Sequence, residues 1–214
     1  MTLPARTSPG SPTAEADRLR RSHFAWLVST FEGRDSLAVG RPTSAGFFLP
    51  SPLKDLIRLF GLIGLENYSR MADLGSGDGR VVLLASLYTS AEGLEADPRL
   101  VAIARAWSLF FGLKQASFKQ TDFTAAELNG YDLLFIYPDK PLGSLVEKLA
   151  RGFKGRLLVY GPFFSAGDLV EIARFDLEIH QARLFVAPGL ASGQLQGQKA
   201  QAVPDLAVEG GLTL

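Results

Sequence analysis

From Arg70 onward, short apolar runs alternate with helical segments, and this alternation admits few folds. Strands are predicted at Met71–Leu74, Glu92–Glu95, Ser117–Gln120, Leu133–Tyr137 and Leu157–Tyr160. The segments between them read as helices at Gly79–Tyr88, Pro98–Phe111 and Leu142–Phe153, with a short turn near Thr124–Leu128. That pattern specifies a doubly wound α/β core of parallel strands covered on both faces. After Tyr160 the pattern changes. A helix near Gly167–Ala173 is predicted, then two strands, Leu177–Val186 and Gln194–Val203, around the glycine-containing loop Pro188–Gly193, which together form an antiparallel hairpin.

The 214 residues suit one domain, preceded by a helical extension. Residues 1–13 read as a disordered tail, 14–46 as the extension with a helix over Ala14–Phe31, 47–205 as the main domain, and 206–214 as a second tail. Ser51-Pro52 reads as an N-cap followed by proline at the first position of a helix over Pro52–Leu62. Lys plus Arg equal Asp plus Glu at 22 each, so no net positive field draws the chain to nucleic acid. Cysteine is absent, which excludes disulfides, thiolate nucleophiles and cysteine metal sites. No apolar run reaches the roughly 18 residues needed to span a bilayer, so a cytoplasmic protein with no membrane partner is expected. His23 and His180 lie in different predicted elements, and no metal site is expected.

The first predicted strand turns into its helix through Asp73-Leu74-Gly75-Ser76-Gly77-Asp78-Gly79. Glycines there let the backbone turn sharply and approach a ligand closely, and the helix that follows begins with unpaired N–H groups. Glu95 ends the next strand about twenty residues after the first glycine, where a carboxylate can accept hydrogen bonds from both hydroxyls of a ribose. Asp122 and Phe123 follow the third strand; the acid can accept from an exocyclic amino group while the ring flanks a purine. Taken singly, Glu95 also reads as a surface acid and Asp122 as the cap of the turn after it. The glycine spacing is G-x-G-x-G, not the G-x-G-x-x-G of dinucleotide folds. Asp73 and Asp78 would repel a pyrophosphate, whereas Asp73 would attract the ammonium of a methionine moiety. The electrostatics favour S-adenosylmethionine over a nicotinamide dinucleotide.

The Asp73–Gly79 loop, Glu95 and Asp122-Phe123 resemble the cofactor motifs of class I methyltransferases over roughly residues 47–203. The resemblance implies a Rossmann-like methyltransferase fold: a mostly parallel seven-stranded sheet with an antiparallel C-terminal hairpin. It also implies that Asp73, Gly75, Ser76 and Gly77 hold the methionine part, Glu95 the ribose, and Asp122 with Phe123 the adenine. A narrower resemblance joins Leu49-Pro50-Ser51-Pro52 to the Asp-Leu-Gly-Ser-Gly-Asp-Gly-Arg run, which looks like small protein-lysine methyltransferases without a SET domain. It implies that Phe47 to Ser51 lie over the cofactor and that a protein lysine is the acceptor. Tyr137-Pro138-Asp139-Lys140 departs from the pattern of that group after the fourth strand.

Methyl transfer is an in-line displacement at a sulfonium, so the protein chiefly aligns the acceptor and excludes water. A lysine must first lose its proton, and an apolar channel helps. Tyr137, as the candidate catalytic residue, could form that channel with Phe48, Phe163 and Phe164. Asp139 has two readings, as a base for an oxygen acceptor or as a solvated loop acid. Alternatives to lysine methylation stay open: a small-molecule nitrogen or oxygen acceptor, then RNA, and a non-catalytic scaffold that binds the cofactor.

Overall fold

The computed structural model describes residues 22–32, 40–43 and 46–194. Helix α1 (22–32) precedes a short antiparallel pair, β1 (Arg41–Pro42) and β2 (Phe47–Phe48), and helix α2 (Leu53–Leu62). The main sheet then runs β3 (Arg70–Leu74), α3 (Arg80–Ala85), β4 (Ser90–Glu95), α4 (Pro98–Phe111), β5 (Ala116–Gln120), β6 (Leu133–Ile136), α5 (Gly143–Ala150), β7 (Arg156–Tyr160), β8 (Val170–Asp176) and β9 (Gln181–Val186). Helix α6 (Pro188–Gln194) follows. The seven strands lie in the order β5-β4-β3-β6-β7-β9-β8; β9 is antiparallel to both its neighbours and the other pairings are parallel.

Nearly every residue of β3, β6 and β7 is buried, as a sheet covered on both faces requires. One face packs against α1 to α4 through Leu27, Phe31, Leu56, Phe60 and Val82. The other packs against α5 through Leu145, Val146 and Leu149. Leu27 and Phe31 are almost wholly buried, so the described part of the N-terminal helix belongs to the core. Residues 1–21, 33–39, 44–45 and 195–214 lie outside the described set, and with them the predicted tails and the start of the extension.

Helix α4 has the bounds predicted because its signals are local. The Asp97 side chain accepts from the Arg99 and Leu100 N–H groups at 2.8 and 3.3 Å, Pro98 opens the helix, and Gly112 closes it at φ 65°. Thr124–Leu128 holds turns, as read from the sequence. Two expectations need correction. Ser51 does not cap α2, which starts one residue after Pro52 without a side-chain cap, and Ser51 is buried. The hairpin comes one strand earlier than expected: Val170–Asp176 is its first strand where a helix near Gly167–Ala173 was predicted, and the loop from Pro188 is the helix α6. Residues 195–203 of the predicted second strand lie outside the described set. A β-bulge between Glu171 and Ala173 explains the misreading, because the extra residue breaks the period of two and sets Val170 and Ala173 at a helix-like spacing.

Gly79 fixes the entrance to α3 at φ 87°, and a Cβ there would lie 2.7 Å from Ala104 Cβ and 2.8 Å from the Phe118 ring. Gly79→Ala is therefore expected to cost at least about 2 kcal/mol by combining left-handed strain with overpacking. Chemical denaturation of the purified variant measures it, and a loss under 0.5 kcal/mol, about the effect of an ordinary surface change, would contradict the packing described.

Candidate active site

The sheet changes winding direction between β3 and β6, the place where open α/β sheets bind ligands at strand carboxyl ends. A cleft of about 810 Å³ opens there. Every predicted site residue lines it: Asp73, Gly75, Ser76, Gly77, Glu95, Asp122, Phe123 and Tyr137. Phe47 to Ser51 line it as well.

Asp73, near the end of β3, is only 3% exposed and lines the cleft. Burial raises its pKa well above the ordinary 3.8, and the negative charges of Glu95 and Asp78 raise it further. Gly75, at φ 82°, faces open space; a Cβ there would meet nothing within 4 Å. The loop is pinned from behind. Gly75 N–H donates to the Leu94 carbonyl at 2.8 Å, and Gly77 N–H donates to Glu95 Oε2 at 2.9 Å. Glu95 Oε1 accepts from Asp97 N–H at 2.8 Å, so this carboxylate fastens the loop to the start of α4 and still keeps lone pairs for hydroxyl donors. The Ser76 hydroxyl is buried close to Gly93 and has no hydrogen-bond partner among the described residues. Asp78 forms an ion pair with buried Arg80 at 2.8 Å.

Asp122 is exposed beyond β5 and accepts from both the N–H and the hydroxyl of Thr124 at 2.8 Å. These bonds hold its pKa below the usual value, so it stays an acceptor. Phe123 packs its half-buried ring on the core beside it. Tyr137 follows β6, edge-on to Tyr160 with centroids 4.8 Å apart, and its hydroxyl lies 2.9 Å from His180 Nε2. Burial, and then the charge of Asp55, raise the Tyr137 pKa, so it remains a neutral phenol. Asp139 accepts from Phe47 N–H at 2.8 Å.

Sequence reasoning missed the group beneath Tyr137. Asp55, on α2, is wholly buried and takes Tyr160 OH at 2.6 Å together with the N–H groups of Glu178, Ile179 and His180. It closes the β8–β9 turn and so places His180 against Tyr137. Among the described residues, no group of three or more His, Cys, Asp or Glu could hold a metal ion, and no helix is long and apolar enough to cross a membrane.

No protein-family model and no curated protein matches the sequence. Solved structures do match in shape. An RNA methyltransferase from Salinibacter ruber, crystallised with S-adenosyl-L-homocysteine, superposes with a TM-score of 0.54 at 22% identity, over 73% of this chain and 100% of that one. The fold is that of the class I methyltransferases. The putative methyltransferase yhhF from Escherichia coli gives 0.52 at 16% identity, over 67% and 89% of the two chains. The Bacillus subtilis M1A22 tRNA methyltransferase TrmK gives 0.50 at 21%, over 63% of this chain and 65% of that one.

Proposed function

We propose that the protein is an S-adenosylmethionine-dependent methyltransferase whose acceptor is a protein lysine. The observation that carries the cofactor reading is Asp73: a buried carboxylate with the acids Glu95 and Asp78 for neighbours, lining the cleft beside a glycine that faces open space, calls for a cationic ligand approaching close to the backbone. The α-ammonium of a methionine moiety meets that demand, and a pyrophosphate does not. Glu95 then serves the ribose, Asp122 and Phe123 the adenine, and Gly75, Ser76 and Gly77 the backbone approach. The solved methyltransferases of this fold, one of them holding S-adenosyl-L-homocysteine, support the same reading.

The bound cofactor supplies an electrophilic methyl group on sulfur. The chain's own residues align the acceptor with it and exclude water. Tyr137, Phe48, Phe163 and Phe164 line the cleft, with Phe163 80% exposed. Their apolar surface favours the neutral, nucleophilic form of an amine. Acids outnumber bases on the acceptor side, where Asp139, Glu147 and Asp168 stand against Lys140 in the cleft and in the 290 Å³ cavity adjoining it. That balance suits a cationic side chain better than a polyanionic RNA.

Because Tyr137 stays neutral, its proposed part is to touch and orient the acceptor, with His180 fixing its hydroxyl. Tyr137→Phe is expected to retain kcat/KM within about fivefold, and Tyr137→Ala to lose about 100-fold through misplacement of the acceptor. Single-turnover transfer of labelled methyl groups measures both; equal losses would point to the hydroxyl rather than the ring.

The acceptor is tested by incubating the protein with labelled S-adenosylmethionine and a protein pool, then analysing the labelled amino acids. Label in methyl-lysine supports the proposal. Label only in the small-molecule fraction would replace it with the small-molecule reading, and cofactor binding without turnover on any pool would favour a scaffold.

A further inference from the structure

The two-residue strands β1 and β2 form a ladder too short to be stable alone, pairing only Arg41 with Phe48 and Pro42 with Phe47. Hydrophobic anchoring is also limited, since Phe47 and Leu49 are 52% and 45% exposed. The hairpin is held instead at two points on opposite sides of the cleft. On one side the Phe48 ring lies on the glycine loop, so close that a Cβ at Gly77 would fall 2.3 Å from Phe48 Cε2. On the other, Phe47 N–H donates to Asp139 Oδ2 at 2.8 Å, and Gly46 sits over the same oxygen, where a Cβ would fall 2.4 Å away. Phe47 and Asp139 are 92 residues apart, and the bond joins the segment before the sheet to the loop that carries Tyr137.

We propose that Asp139 is a positioning residue, a latch that fastens the β1–β2 hairpin as a strap across the cleft, and that it acts by accepting a hydrogen bond and not by taking a proton. The inference rests on the cofactor reading given above. The contact uses Oδ2 alone and its donor is a backbone N–H, so holding the strap asks only for an acceptor oxygen and moves no proton. Asparagine also supplies such an oxygen. Opening the strap exposes the glycine loop beneath Phe48, so the latch governs how fast the cofactor leaves.

Three variants separate the possibilities. Asp139→Ala removes the acceptor and is expected to speed release of S-adenosylhomocysteine about tenfold, as loss of a charge-assisted hydrogen bond would. Amide exchange at Phe47 in the ligand-free protein should rise by a similar factor. Asp139→Asn should restore both to within about threefold of the parent and leave the pH profile of methyl transfer unchanged, because a neutral acceptor keeps part of that bond. Gly46→Ala keeps the charge but crowds it away from Phe47 N–H, and should behave like Asp139→Ala. Release and exchange unchanged in Asp139→Ala would overturn the latch, as would an Asp139→Asn variant whose release and exchange are as fast as those of Asp139→Ala. If the parent itself fails to bind S-adenosylhomocysteine, the cofactor reading falls, and exchange at Phe47 still decides whether Asp139 holds the strap.

Discussion

Asp73→Asn is expected to unfold at a higher temperature than the parent at neutral pH and yet to lose S-adenosylmethionine binding by at least about 100-fold. The two effects have one cause. The Asp73 pKa is raised above its ordinary value by burial and by Glu95 and Asp78, so the folded state holds that proton more tightly than the unfolded chain does. Ionising the group therefore opposes folding. The cost is absent below about pH 3.8, grows as pH rises towards the folded-state pKa, and is constant above it. Asparagine has no charge to desolvate, so its advantage should appear at pH 7.5 and vanish near pH 3.5. The same substitution removes the anion that an ammonium would meet, and a buried charge-assisted contact of this kind accounts for about 3 kcal/mol of binding. Thermal denaturation at the two pH values, paired with calorimetry, checks both effects. A destabilised variant, or one that binds the cofactor as the parent does, would remove Asp73 from the site.

The largest loss of stability is expected from Asp55→Ala, at least about 3 kcal/mol. The side chain is fully buried, and its removal strands the Tyr160 hydroxyl and the N–H groups of Glu178, Ile179 and His180, each without a replacement acceptor. Because His180 lies against Tyr137, the surviving folded fraction should also turn over slowly. Urea denaturation reads the stability through its midpoint at unchanged slope. A loss under 1 kcal/mol would mean that the β8–β9 turn finds its acceptors elsewhere.

What could be read from the sequence was what short-range chemistry determines. Helix α4 came with its own cap, its proline and its terminal glycine, and its bounds needed no tertiary information. The glycine loop was legible because three positions of positive φ, at Gly75, Gly77 and Gly79, admit little but glycine. Residues at successive strand ends could be brought together because parallel strands place their carboxyl ends on one side. The failures lie where partners are far apart in the chain. Asp55 gains its meaning from Tyr160 and the β8–β9 turn, 105 and more residues away, and Asp139 from Phe47, 92 residues away. Nothing in the local pattern marks Asp55, and Asp139 reads locally only as a base or a solvated loop acid. His180 looked isolated for the same reason, since its neighbour Tyr137 lies 43 residues back. The misplaced hairpin came from a different source, one extra residue in β8 that hid its alternation.

The central claim is that this cleft holds S-adenosylmethionine. Calorimetric titration of the purified chain with S-adenosylmethionine and S-adenosylhomocysteine, with NAD as control, tests it most directly. Saturable one-to-one binding of the first two and none of NAD is the predicted result; binding of NAD in their place, or of nothing, would contradict it.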